Sequence, residues 1–318
     1  MTQDNKVAIL DAEGISIKSV SLWQVTWRRL FRRRSAVVGM AILGILVLIA
    51  LTAQWIAPYD PITPMMDLNP PEPGKQRQAP CIHLLGCPED QPQHIAGIDG
   101  NVRDEFSRLL YGTRVSLWIG LSTVTFAIII GTILGALSGY FGGWIDNSIM
   151  RVMDVLLAFP SLLLAIAIVT VLGPGLTNAL LAIGIVSIPS YARVVRSSVL
   201  SVREMDYVSA TRALGGSNFD ILFRRILPNA MTPLIVQGTL GIATAILDAA
   251  ALSFLGLGAQ PPDPEWGAML GSERNQVFTA PHLVFYPGFA IMLTVLSFNL
   301  LGDGLRDALD PRLAHMNK

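Results

Sequence analysis

The chain has 318 residues, 52% of them hydrophobic and 14% charged, with a mean hydropathy of +0.51 and a formal net charge of zero. A soluble domain carries about 25% charged residues, so this composition excludes an ordinary water-soluble globule and points to an integral membrane protein. The zero balance says nothing about partners, because Lys and Arg are strongly segregated along the chain.

A polar lead, 1–34, comes first and shows no signal-peptide cleavage site, so the run after it reads as a retained span. In the lead, Arg28, Arg29, Arg32, Arg33 and Arg34 form a topology signal. Trp23, Trp27, Leu30 and Phe31 fall at a helical spacing suited to the membrane interface. Apolar runs then cover roughly 35–57, 115–139, 152–172 (interrupted by Pro160), 176–194 (with Pro189 near its end), 230–257 and 284–301. Each is close to the ~20 residues needed to cross the hydrocarbon core. The expected fold is an all-α integral membrane protein with six transmembrane helices. Ser, Thr and Gly dominate the polar letters inside the runs and suit close helix packing. The expected organisation is the lead, a first span over 35–57, a long loop over 58–112, a core of five spans over 113–303 and a tail over 304–318. Pro160, Pro174 and Pro189 mark kinks, span ends or a gating hinge.

Orientation follows from Lys and Arg. Lys6, Lys18, Arg151, Arg193, Arg196, Arg203, Arg212, Arg224, Arg225, Arg306, Arg312 and Lys318 join the N-terminal Arg cluster on one side. The other side holds only Lys75, Arg77, Arg103, Arg108, Arg114 and Arg274. Both termini and the connection over 205–228 are therefore expected in the cytoplasm.

That connection is too ordered for a plain loop. Asp206 is suited to cap a short helix, and Gly215 and Gly216 to end it. Ser217 or Asn218 suits the cap of a second helix, which Pro228 is expected to stop. A capped helical hairpin facing water between spans is a docking device. Intramembrane charges are sparse: Asp248 in the fifth run and Asp154 near an end of the third. Such sparseness argues against an ion-coupled carrier. No filter repeat or charge ring suggests a channel. The phosphate loop of a nucleotide site is missing, since Gly74-Lys75 lacks both the upstream Gly and the following hydroxyl. The economical reading is a pore subunit driven from outside through the hairpin. Asp248 has two readings, an interhelical hydrogen bond or a place on the pathway.

The stretch from Asp206 to Pro228 resembles the Glu-Ala-Ala loop of bacterial ABC importer permeases. Ser209-Ala210-Thr211 stands at the Glu-Ala-Ala positions, Gly215 at the Gly, and Leu227-Pro228 closes the pattern. Ser253 to Leu270, Asn299 to Pro311 and Ser138 to Asp146 resemble signatures of the dipeptide/oligopeptide/nickel permease family. The similarity runs from about Trp27 to Pro311 and is closest to the second, C-type, permease of dipeptide systems. Gly97 to Arg108 resembles an extracytoplasmic stretch of the family. In it Ile98 replaces a Thr and Val102 a Gly, which counts against a positive-φ turn at position 102. Upstream, 61–94 looks like a Pro-rich insertion that would touch a partner.

The resemblance implies a type I importer permease fold with a cytoplasmic coupling hairpin, in a bacterial or archaeal plasma membrane. It implies a second homologous permease, two ATPases and an extracytoplasmic solute-binding protein as partners, with lipid around the spans and no nucleic acid. ATP and Mg would be bound by the ATPases, leaving this chain without a cofactor. Coupling would fall to Asp206, Ser209, Ala210, Thr211, Ala213, Leu214, Gly215, Gly216, Leu227 and Pro228. The implied cargo is a dipeptide or short peptide, with nickel or another small solute as the alternative.

Cys81 and Cys87 lie six apart between Pro80 and Pro88. Three states are open: a disulfide, two free thiols, or metal ligation with His83, for which a fourth ligand is lacking. The four histidines, His83, His94, His282 and His315, have no nucleophile at motif spacing, so no catalytic constellation is expected. Met292 and Phe298 read as packing residues.

Overall fold

A computed structural model describes residues 27–68 and 73–309. Parts of the lead, of the 61–94 segment and of the tail, including Lys6, Lys18, Trp23, Arg312, His315 and Lys318, lie outside the described residues. The helices are α1 (Arg34–Ile56), α2 (Glu105–Phe141), α3 (Gly143–Leu157), α4 (Ser161–Leu172), α5 (Leu176–Arg203), α6 (Asp206–Ala213), α7 (Asn218–Asp220), α8 (Leu227–Ala230), α9 (Thr232–Phe254), α10 (Trp266–Glu273) and α11 (His282–Leu309). The described residues form no β-sheet, only isolated bridges between Cys81 and His94 and between Ile98 and Asp104.

Helices α1, α2, α5, α9 and α11 are each long and apolar enough to span a membrane. The third run departs from its reading as one span. It is split into α3 and α4, which meet at 91°. Pro160 is the cause: it has no N–H to continue α3, and its fixed φ starts α4 at the next residue. Alone, α4 is about 18 Å long, short of the ~30 Å apolar core; counting the bent pair as one broken span gives six candidate crossings.

Two helices run well past their apolar stretches. α2 has 37 residues. Asp104 caps it, its Oδ2 accepting from Ser107 N at 2.7 Å, so the helix starts ahead of the apolar run. α5 carries Pro189 internally and continues to Arg203. Asp146 of α3 receives Arg196 of α5 in a two-pronged pair at 2.6 Å.

The core is the seam between α2 and α5, where Ala127, Ala136, Ala192, Val195 and Val199 are buried. On the other flank α11 packs between α1 and α9. Leu30 and Ala36 meet Ala308 there, so the two ends of the described chain lie on one side of the bundle. The hairpin α6–α8 is on that same side.

The opposite side is closed by a polar cap. Arg103 donates to Asp99 at 2.9 Å and to Pro262 O at 3.4 Å. Arg108 donates to Pro61 O at 2.7 Å and Pro262 O at 3.1 Å. Glu273 holds Arg77 at 2.8 Å and the Gly100 amide at 3.0 Å. His94, fully buried, pairs with Asp104 at 3.0 Å. Glu265 caps α10 by accepting from the Gly267 and Ala268 amides. Burial nevertheless pushes its carboxyl above the ordinary range.

Val102 adopts φ +60 despite its branched side chain. Such a conformation costs of order 1–3 kcal/mol. Several contacts offset it. Val102 O accepts from Met65 N at 2.8 Å, and the side chain is buried with Met65 and Ile98. Asp99 Oδ1 accepts from the amides of Asn101 and Arg103 on either side. The tertiary frame, not the residue's own preference, sets this turn.

Candidate coupling site

The hairpin begins at Met205, the extended N-cap of α6. Asp206 is therefore not the cap; it is the first helical residue, where its charge suits the positive helix end. α6 ends as the sequence predicts. Gly215 has φ +82, Gly215 N donates to Arg212 O at 3.0 Å and Gly216 N to Thr211 O at 3.0 Å. This is the paired closure that a left-handed residue permits. Ser217 caps α7, its Oγ accepting from Asp220 N at 3.2 Å.

Pro228 does not stop the second helix. It is the second residue of α8, reached through a wide π turn at Ile221–Ile226. The widened turn relieves the clash that Pro makes with a preceding carbonyl. The Arg225 carbonyl is taken up by Asn229 Nδ2 at 2.7 Å and Tyr207 OH at 3.3 Å.

One face of the hairpin is anchored. Val208, Ile221, Leu222 and Ile226 are buried against the bundle. Tyr140 OH donates to Asn218 Oδ1 at 2.8 Å. Arg203 Nη1 donates to the carbonyls of Gly139 at 3.1 Å and Tyr140 at 3.2 Å. The end of α2 is thus tied to the hairpin directly.

The other face is open. Asp206, Ser209, Ala210, Ala213, Gly215 and Pro228 are exposed, and Leu214 is 89% exposed at the tip. Thr211, Gly216 and Leu227 are half-buried, with Thr211 Oγ1 donating to Tyr207 O at 2.7 Å. Phe219, 69% exposed, lies against Phe223 with ring centroids 4.6 Å apart. Arg212, Arg224 and Arg225 are exposed on the same hairpin. The sequence reading missed Phe219. Its one signal was the Phe219/Phe223 spacing, which equally suits a buried face.

The remaining candidates stand far from the hairpin. Asp248 is half-buried on α9 and makes no hydrogen bond or ion pair among the described residues, so no interhelical bond holds it. Cys81 and Cys87 are joined in a disulfide with Cα atoms 5.4 Å apart. The described residues contain no His/Cys/Asp/Glu group able to hold a metal ion.

Apolar spans, a capped hairpin anchored at one end and a polar cap at the other define a multi-pass membrane permease. Residues 131–315 match the family of binding-protein-dependent transport system inner membrane components, and 21–71 match the N-terminal transmembrane domain of oligopeptide transport permease C. The chain belongs to this family of transport-system inner membrane components. It is 48% identical over 295 residues to a dipeptide transport system permease protein of Alkalihalophilus pseudofirmus, covering 93% of this chain and 91% of that one. It is 47% identical to a di/tripeptide transport system permease of Pseudomonas aeruginosa, covering 90% and 91% of the two chains. A glutathione transport system permease of Pectobacterium atrosepticum is 45% identical, covering 92% and 91%. The fold is that of a type I ABC importer permease. A solved inward-facing structure of the MetNI methionine ABC transporter superposes with a TM-score of 0.53 at 18% identity, over 64% of this chain and 96% of that one.

Proposed function

We propose that this chain is the pathway subunit of an ATP-driven importer that moves dipeptides or other short peptides delivered by an extracytoplasmic solute-binding protein. It works beside a second, homologous permease. Two ATPases, which bind the ATP and Mg, grip the hairpin from the cytoplasm. The relatives' names support peptide cargo over nickel: dipeptide, di/tripeptide and glutathione are all peptides. The distribution of Lys and Arg supports cytoplasmic termini and a cytoplasmic hairpin.

The observation that carries the coupling role is the open face of the hairpin. Leu214 projects from a closed helix end whose other face is locked into the bundle. Small residues at Ser209, Ala210 and Ala213 let a partner approach the helix closely. A push on this face moves Asn218 and Arg203, and through them the end of α2. ATP-driven closure of the ATPases thus biases a two-state bundle between inward- and outward-open forms, and hydrolysis resets it.

Leu214→Asp and Gly215→Asp test this. Leu214 is solvent-exposed, so Leu214→Asp keeps the fold and carries the test. A Cβ on Gly215 meets no atom within 4 Å, but its φ of +82 strains any L side chain, so Gly215→Asp also loosens the end of α6. Loss of a central interface anchor weakens ATPase binding by at least about thirtyfold. The expected result is a folded permease pair that no longer co-purifies with the ATPases or stimulates their turnover. Unchanged coupling refutes the docking role.

Orientation is checked separately. Alkaline phosphatase fused after Gly216 should be inactive and a green fluorescent protein there should fluoresce. An active phosphatase overturns the topology.

A further inference from the structure

Helix α9 presents a stripe that its own chain leaves open except at Gly241, where Tyr191 of α5 packs. Gln237, Gly241, Thr244, Asp248 and Ala251 fall on it at helical spacing, and each is half-buried or exposed. The adjoining face, from Leu234 through Ala245, Ile246 and Ala249 to Leu252, is buried. Four facts set the uncovered face apart from a lipid-facing one. It carries small and polar residues where lipid favours large apolar ones. The Asp248 carboxylate has no partner among the described residues, nor has the Gln237 amide. Tyr191 of α5, its ring buried, brings its hydroxyl directly onto Gly241, where a Cβ would collide with it. That hydroxyl makes no hydrogen bond among the described residues.

An unpaired carboxylate within a span faces protein or a water-filled path, not hydrocarbon. Asp248 is six residues from the end of α9 on the side of the polar cap, hence about 9 Å in from it. The α10 helix lies over this end, with Gly267 packed on Ala250. The carboxylate is therefore near the mouth that would receive a delivered solute.

We infer that this stripe is a peptide-backbone subsite in which Asp248 takes the α-ammonium of a di- or tripeptide, while Thr244 and the Tyr191 hydroxyl meet its amide and carboxylate groups. The inference rests on the peptide-import reading and names the group recognised. Spacing supports it. Asp248, Thr244 and Gly241 are about 6 and 10 Å apart along the axis, and an extended di- or tripeptide spans about 7–10 Å. Charge supports it too, because a half-buried carboxylate forms charge-assisted hydrogen bonds with an ammonium group. Every contact is to groups that all peptides share, so peptide side chains are left unread.

The test uses proteoliposomes holding both permeases, both ATPases and the binding protein, with labelled dialanine as the probe. Asp248→Asn should cut dialanine uptake about tenfold. ATP turnover stimulated by the loaded binding protein should persist, so more ATP is consumed per peptide moved. Asp248→Glu should restore uptake to within about threefold of the unaltered complex. In a second measurement, Thr244→Cys should react with a membrane-impermeant cationic methanethiosulfonate while the complex is trapped outward-open, the native cysteines being joined to each other. Full-rate uptake by Asp248→Asn, or an unreactive Thr244→Cys because lipid or the second permease covers the face, overturns the subsite. No dialanine uptake by the unaltered complex overturns the peptide reading and the subsite together.

Discussion

Gly135→Leu yields no folded permease, whereas Gly44→Leu, in another span, behaves as the unaltered chain. Gly131, Gly135 and Gly139 recur every fourth residue on α2 and face α5. A Cβ on Gly135 would strike the Ala192 carbonyl oxygen and come within 2.9 Å of Val195 Cβ. One turn away, a Cβ on Gly131 would come within 2.7 Å of Tyr191 Cβ and 3.1 Å of Ile188 O, and one on Gly139 within 2.9 Å of Arg196 O. The obstacles include backbone carbonyls in a second helix, which cannot rotate away as a side chain can. Between membrane helices such close approach is itself the source of attraction, since burial from lipid contributes little. Leu at 135 therefore pushes α2 off α5 along the main seam of the core and costs about 3 kcal/mol or more. Gly44 on α1 has no atom within 4 Å of a Cβ and faces outward, where Leu suits lipid. Size-exclusion profiles and thermal melting in detergent separate the outcomes. A Gly135→Leu protein that is monodisperse and melts with the unaltered chain would show that the seam is not where the structure puts it.

The same seam explains which parts of the fold the sequence made legible. Spans reveal themselves because a run of about 20 apolar residues has no other stable home. Hydropathy cannot see polar extensions that are buried by protein. The first turns of α2 are helical because Asp104 caps them and the cap region encloses Glu105, Ser107 and Arg108. Pro160 announced an interruption, but the direction of the 91° bend depends on how α3 packs against α2 and α5. In the hairpin, Gly215 and Ser217 were legible because their roles are local. Asp206 and Pro228 were misread because a tertiary frame decided them: Met205 took the cap, and Tyr207 and Asn229 satisfied the carbonyl that the π turn released. Val102 is the same case, a left-handed residue kept by long-range partners. Asp248 stood out as a charge at depth, but only the fold brought the Tyr191 hydroxyl to its stripe.

Arg108→Ala should lower stability by about 3–5 kcal/mol, because it breaks a buried charge cluster while leaving its acceptors in place. Arg108 is buried. Its guanidinium donates to Pro61 O at 2.7 Å, Pro262 O at 3.1 Å and Asp263 O at 3.4 Å, and its Nε lies 3.5 Å from Asp99 Oδ2. Three segments distant in sequence meet on this one side chain: the start of the long loop, the start of α2 and the link before α10. Removal strands the buried Pro61 carbonyl without a donor and leaves Arg103 as the one cation paired with Asp99 among the described residues, at 2.8 Å. Lys keeps the charge but lacks the planar fork, so Arg108→Lys should recover less than half of the loss. Asp99→Asn combined with Arg108→Ala should cost less than the sum of the two single changes, because the pair shares one network. The damage should begin at the cap: faster amide exchange around 57–66 and 259–267, with the hairpin and its ATPase binding intact. Since α10 sits on Ala250, two residues beyond Asp248, a loosened cap should also impair peptide uptake more than ATP turnover. Equal acceleration of exchange at the hairpin and at the cap would mean that Arg108 supports the whole bundle and not a separate lid on its outer end.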